Sequence, residues 1–148
     1  MGFPYASYTA AVTGVTTAAY AANQIIGALN SFSNVPQGGF LQGVQINLNS
    51  TNASQIDLCT FTSSMPNTTF TNASSIAVSS ADFANQGPVV SVTAWNYMGT
   101  NASNGLAAGL GVQYPNQLNS TLFWCLVARG AVTVNSSQGV SVTATFAS

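Results

Sequence analysis

The sequence predicts an all-β protein: a single-domain antiparallel β-sandwich, jelly-roll-like, with about eight strands and an extended N-terminal arm. Three observations predict it. Apolar residues recur with a period of two, clusters of turn-forming residues interrupt them at short intervals, and only one brief stretch carries helix signals.

The elements follow in order of clarity. In residues 138–146, Val140, Val142, Ala144 and Phe146 alternate with Ser141, Thr143 and Thr145. Residues 43–49 repeat the pattern with Val44, Ile46 and Leu48 against Gln45, Asn47 and Asn49, and Val90, Val92 and Ala94 alternate with Ser91 and Thr93. Such runs are strands with one buried face, where β-branched Val and Thr pack well on the pleat. Two runs are apolar on both faces, Leu122-Phe123-Trp124-Cys125-Leu126-Val127-Ala128 and Ile56-Asp57-Leu58-Cys59-Thr60-Phe61, and they read as central strands covered on each side. Turn clusters stand at 34–39, 63–67 and 99–105. Together these place strands near 22–33, 39–49, 54–62, 69–78, 87–95, 105–114, 119–129 and 138–147. Residues 80–85 fit one helical turn, with Ser79 or Ser80 as N-cap and Asp82 beside the positive end of the dipole. The first 20 residues differ in character, with Phe3, Tyr5, Tyr8 and Tyr20 scattered among Ala and Thr. They read either as an arm that docks on a partner or as a loosely packed terminus, leaving 21–148 as the sandwich domain.

Charge narrows the function. The side chains of the 148 residues that are charged at neutral pH are Asp57, Asp82 and Arg129, and there is no His, Lys or Glu. General acid–base pairs, hydrolytic triads, imidazole metal sites and Lys Schiff bases therefore have no residues to be built from, and no enzyme, cofactor or metal site is expected. Calcium sites gather several carboxylates, and only Asp57 and Asp82 are present. A paired-carboxylate mechanism requires those two to share one cleft. Nucleic acid and anionic membranes are recognised through clustered Lys and Arg, so neither is an expected partner. At 47% hydrophobic residues the chain is not disordered, and its polarity comes from Ser, Thr, Asn and Gln. A neutral surface of that kind has little repulsion between copies and suits a protein held in an assembly.

Other signals are compositional. Asn-X-Ser/Thr triplets begin at Asn49, Asn52, Asn67, Asn72, Asn101, Asn119 and Asn135, as expected of a chain rich in these residues. The opening Met1-Gly2-Phe3-Pro4-Tyr5 lacks a basic segment, which predicts no secretory signal and cytoplasmic synthesis with Cys59 and Cys125 as buried thiols, a disulfide between two neighbouring strands being the alternative. Gly38-Gly39 and Gly109-Leu110-Gly111 read as turn and bulge glycines. Asp57, flanked by Ile56 and Leu58, reads as a structural carboxylate that accepts backbone bonds or pairs with Arg129. Trp95, Tyr97, Trp124 and Tyr114 are the aromatic residues suited to a sugar-binding surface. Trp124 is expected in the core, and Trp95 and Tyr97, bordering a loop, are the better contact candidates, together with Phe3, Tyr5 and Tyr8 of the arm.

From about Tyr20 to Phe146 the chain resembles the small β-sandwich head decoration, or cement, proteins of tailed bacteriophages. The resemblance is carried by Tyr20-Ala21-Ala22-Asn23-Gln24-Ile25-Ile26-Gly27, with Asn23 where Asp is usual, and by the Gly38-Gly39 turn before Val44 and Ile46. It continues through Ile56-Asp57-Leu58-Cys59-Thr60-Phe61, Pro66-Asn67-Thr68-Thr69-Phe70-Thr71-Asn72, Ser80-Ala81-Asp82 and Leu126-Val127-Ala128-Arg129-Gly130-Ala131. It implies a virion protein on the outer capsid surface, bound to the major capsid protein, commonly as a homotrimer. The alternatives of another class are a carbohydrate-binding or receptor-recognition module of a phage head fibre, and a self-assembling appendage subunit that joins strands edge to edge.

Overall fold

The computed structural model describes residues 5–50, 52–99, 101–113, 120–137 and 139–147. The strands among them are β1 (Tyr5–Ala11), β2 (Ala18–Tyr20), β3 (Ile25–Phe32), β4 (Phe40–Leu48), β5 (Ile56–Phe61), β6 (Gln86–Val92), β7 (Trp95–Tyr97), β8 (Ser103–Gln113), β9 (Leu122–Ala128), β10 (Val132–Val134) and β11 (Val140–Ala147). One sheet runs β1-β11-β4-β8-β7 and the other β3-β9-β5-β6, with β2 and β10 paired beside them. All pairings are antiparallel. Setting aside the three-residue strands β2, β7 and β10, the long strands run first–eighth–third–sixth in one sheet and second–seventh–fourth–fifth in the other. That is the interleaved double Greek key of a jelly roll.

Two expectations are corrected. Residues 69–78 are not a strand. Phe70, Ile76 and Val78 turn inward onto the outer face of the four-stranded sheet, and the backbone there bonds locally and to the β3 end, with Ser74 N–H on the Thr71 carbonyl and Ala73 N–H on that of Ile25. The eighth long strand is β1, inside the segment expected to be an arm. Tyr5 through Ala11 pair residue for residue with Ala147 through Ser141, and Val12 and Val15 lie buried in the main core. The alternation of β1 was hidden because Ala, Ser, Thr and Tyr differ too little in hydropathy to show which face is buried.

The main core fills the space between the sheets. Val44, Ile46, Leu48, Val140, Val142, Ala144 and Phe146 from one side meet Ile26, Phe32, Ile56, Leu58, Val90, Val92, Leu122, Trp124 and Leu126 from the other. Phe32 stacks on Trp124 with ring centres 5.0 Å apart, and Tyr8 meets Phe146 edge-on at 5.6 Å. Each large side chain fully buried this way contributes about 1.5–3 kcal/mol. A second, smaller core forms on the far face of the four-stranded sheet, where Cys59, Phe61, Met65, Cys125 and Val127 are covered by Phe70, Ile76 and Val78. This cover is why β5 and β9 are apolar on both faces. The expected helical turn is a 3-10 helix, Ser80–Asn85, capped by the Ser79 hydroxyl accepting from the Ala81 amide. At Gly27 (φ +85°) a Cβ would stand 2.5 Å from the Thr13 carbonyl oxygen, so only glycine lets the 12–15 loop close over β3.

Candidate functional site

The charged groups come together from three elements. Arg129, just past β9, donates from Nε to Asp57 Oδ2 on β5 at 2.7 Å and from Nη1 to Asn23 Oδ1 at 2.8 Å. Gln55 donates to Asp57 Oδ1 at 2.9 Å and to the Ser91 hydroxyl. Asp57 is buried while Arg129 keeps about a third of its side chain in solvent (31%). Burial opposes ionisation of Asp57, but hydrogen bonds from Gln55, Arg129 and Ser91 outweigh it and hold the carboxyl below its ordinary range. The arrangement makes Asp57 a poor base and a good brace: it joins β5, β6, β9 and the 21–24 turn. Asn23 adopts φ +70°, a left-handed conformation that Asn tolerates well.

Two further brackets hold loops down. Asp82 is buried in the 3-10 helix and accepts from the Asn67 amide at 2.9 Å, Asn67 Nδ2 at 3.1 Å and the Thr68 hydroxyl at 2.7 Å. Burial again opposes its charge, and the Thr68 and Asn67 bonds more than offset it, lowering its pKa. Asn72 Oδ1 accepts from Tyr20 Oη and the Gly27 amide, and its Nδ2 donates to the Thr16 hydroxyl. The networks of Asp57 and Asp82 share no residue, so the two carboxylates do not form a catalytic pair. The runs containing Tyr20, Asn23, Gly27, Asp57, Asn67, Asn72, Asp82 and Arg129 are thus tied together in space by side-chain bonds. Asn23, Gln55 and Asn72 were not readable as partners, because amides are abundant everywhere in this chain.

Cys59 and Cys125 face each other across β5 and β9, both free and buried. Hydrogen bonding to Cys59 and burial push the Cys125 thiol up, so it stays protonated. A cavity of about 280 Å³ opens over Cys59, lined also by Phe61, Ile76, Val78, Val89 and Arg129. Among the described residues no three His, Cys, Asp or Glu side chains gather as metal ligands.

The aromatic candidates divide. Trp95 packs flat over Gly105, where a Cβ would fall 2.8 Å from its ring, and its Nε1 is buried without a partner. It is partly buried and packs against the main core. Tyr97 is half exposed, but its hydroxyl is pinned to the Ala53 backbone as donor and acceptor. Tyr8 is also committed inward, tilted against Phe32 and edge-on to Phe146, with its hydroxyl donating to the Asn34 carbonyl. Tyr5 is exposed, while Phe3 and Tyr114 lie outside the described residues. A groove of about 300 Å³ lies elsewhere, lined by Asn47, Asn49, Asn101 and Ser141.

The outer face of the five-stranded sheet carries the hydroxyls and amides that alternate with the apolar residues in the sequence. Ser7 meets Thr145 at 3.0 Å and Thr9 meets Thr143 at 2.8 Å, hydroxyl to hydroxyl. Asn47 accepts from Gln45 and Asn104, and donates to Ser141. The described part of this face carries no ionisable acid or base, and Leu106 stands exposed within it. No protein-family model and no curated protein matches the chain.

Proposed function

We propose that this chain is a structural virion protein that binds the outer surface of a bacteriophage capsid and stabilises it. The observation that carries the reading is the neutral hydroxyl and amide face of the five-stranded sheet, with every charge of the chain sequestered elsewhere. A face of this kind offers apolar contact and many neutral hydrogen bonds, with neither charge repulsion nor salt-dependent attraction. Repeated over a capsid, weak contacts of single copies add up to lasting attachment. The resemblance to head decoration proteins names the capsid protein as partner and a homotrimer as the bound form. The jelly roll itself is shared by viral capsid and lectin domains, so it supports the assembly and glycan readings equally.

The test is attachment of the purified protein to undecorated capsids across a salt series. Attachment should change little between low and high salt, and Thr143→Lys, which places a charge in the face, should abolish it. A steep loss with salt, or unchanged binding of Thr143→Lys, overturns the reading. The second reading, a carbohydrate-binding module, draws on the amide-lined groove at Asn47, Asn49, Asn101 and Ser141. Glycan binding lost in Asn101→Ala while capsid attachment is absent would establish it instead.

A further inference from the structure

The four sheet edges of the sandwich are not equally protected. The β3 edge is already bonded: Ile25 N–H to the Ser74 carbonyl, Ala73 N–H to that of Ile25, and Ala28 N–H to that of Thr13. The β6 edge is interrupted by Pro88, which has no N–H to offer. The edge beyond β4 is formed by the three residues of β7 and then by β8 from Leu106 to Gln113, where Gly109 and Gly111 at positive φ and a register shift in its pairing with β4 interrupt the strand. The β1 edge has seven residues, with no proline, no charge and no bulge in its pairing with β11. Natural sheets usually blunt such an edge with one of these devices, because it is a template for another strand.

The hydrogen-bond phase says which groups are free. Val12 N–H bonds to the Val140 carbonyl, and antiparallel pairs alternate between bonded and non-bonded. The even residues Ala6, Tyr8 and Ala10 therefore bond to β11, and the backbone groups of Tyr5, Ser7, Thr9 and Ala11 point away from it. Among the described residues no backbone bond beyond the β11 ladder involves these four.

We infer that β1 pairs antiparallel with β1 of a second copy about a two-fold axis at Tyr8, making one continuous sheet across two molecules. In that register Ser7 lies opposite Thr9 of the second copy and Tyr5 opposite Ala11, and all four outward N–H and four outward C=O groups of each strand are satisfied. The side chains agree with it. Ser7 and Thr9 already form hydroxyl pairs with Thr145 and Thr143, and the Ser7–Thr9 pairing continues the same ladder across the axis. Exposed Tyr5 (66%) gains a neighbour in Ala11, and no Asp, Glu, Lys, Arg or His stands on the strand to oppose a copy of itself. The register is specific to self-pairing, because only a strand with the same spacing of small hydroxyls extends the ladder. This inference does not rest on the capsid reading.

The test is the solution mass of the full-length protein by light scattering, compared with Ser7→Pro and Thr9→Lys. Ser7→Pro removes an outward N–H and no backbone bond to β11, with only the hydroxyl contact to Thr145 lost besides, and Thr9→Lys puts a charge on the edge strand. The native protein should show twice the mass of either variant, with all three melting at closely similar temperatures. Amide exchange of native Ser7 and Thr9 should slow as concentration rises, while Ala6, Tyr8 and Ala10 stay protected throughout. A mass that neither variant halves overturns the inference. So does fast exchange of Ser7 and Thr9 at every concentration, or their protection only when a different protein is added.

Discussion

The two sheets of this sandwich treat their outer faces in opposite ways. The four-stranded sheet is roofed by residues 62–79 and by the Asp57–Arg129–Asn23 brace, and it holds both thiols. The five-stranded sheet is left open and presents only hydroxyls, amides and a few apolar side chains. The difference teaches where charge belongs in a protein with almost none. Its ionised groups tie irregular loops to strands, a task that needs strong directional bonds. The open face is neutral, and screening by salt has little to act on there.

The comparison breaks first in the middle of the covered sheet. Trp124→Ala, at the centre of the main core and stacked on Phe32, should cost about 3–5 kcal/mol, read from urea or thermal unfolding. A loss no larger than that of an open-face variant would mean that β9 is not the structural centre. Asp57→Ala should cost about 1–3 kcal/mol. That is below the loss for breaking a wholly buried pair, because half-exposed Arg129 regains water.

Acid sharpens the same contrast. Both Asp carboxyls titrate below their ordinary range in the fold, so the stability they contribute is complete above the unfolded-chain value of about 3.9 and is lost as pH falls through the lower folded values. With no His in the chain, melting temperature should stay flat from about pH 8 to pH 5 and drop only below about pH 4. Asp57→Asn should remove part of that drop, and a fall already at pH 6 would contradict this assignment. A smaller effect concerns the thiols. Cys59, at the floor of the cavity, should react with a small alkylating reagent before Cys125, whose raised pKa and full burial protect it until unfolding. Mass spectrometry of partly alkylated native protein reads the order. The smallest effect is expected on the open face, where Thr143→Ala should change stability by no more than about 0.5 kcal/mol, since its partner Thr9 can turn to water.

Period-two alternation was enough to place β4, β6 and β11, and the two apolar runs were enough to place β5 and β9 at the centre, because burial on one face or both is written directly into side-chain hydropathy. The helical turn at 80–85 was legible from its Ser cap. The sequence also determined that its charged side chains are Asp57, Asp82 and Arg129. It did not determine what they bind. The tertiary structure decided that Asn23 closes the Arg129 fork, that Asn67 and Thr68 satisfy Asp82, and that Trp95 packs onto Gly105. It also decided that residues 5–11 are an edge strand and that 69–78 is a roof. Each of these outcomes depends on which distant segment supplies the partner, and in a chain made of Ser, Thr, Asn and Ala many segments offer the same donors, acceptors and small side chains. Only the jelly-roll connection of the strands chooses among them.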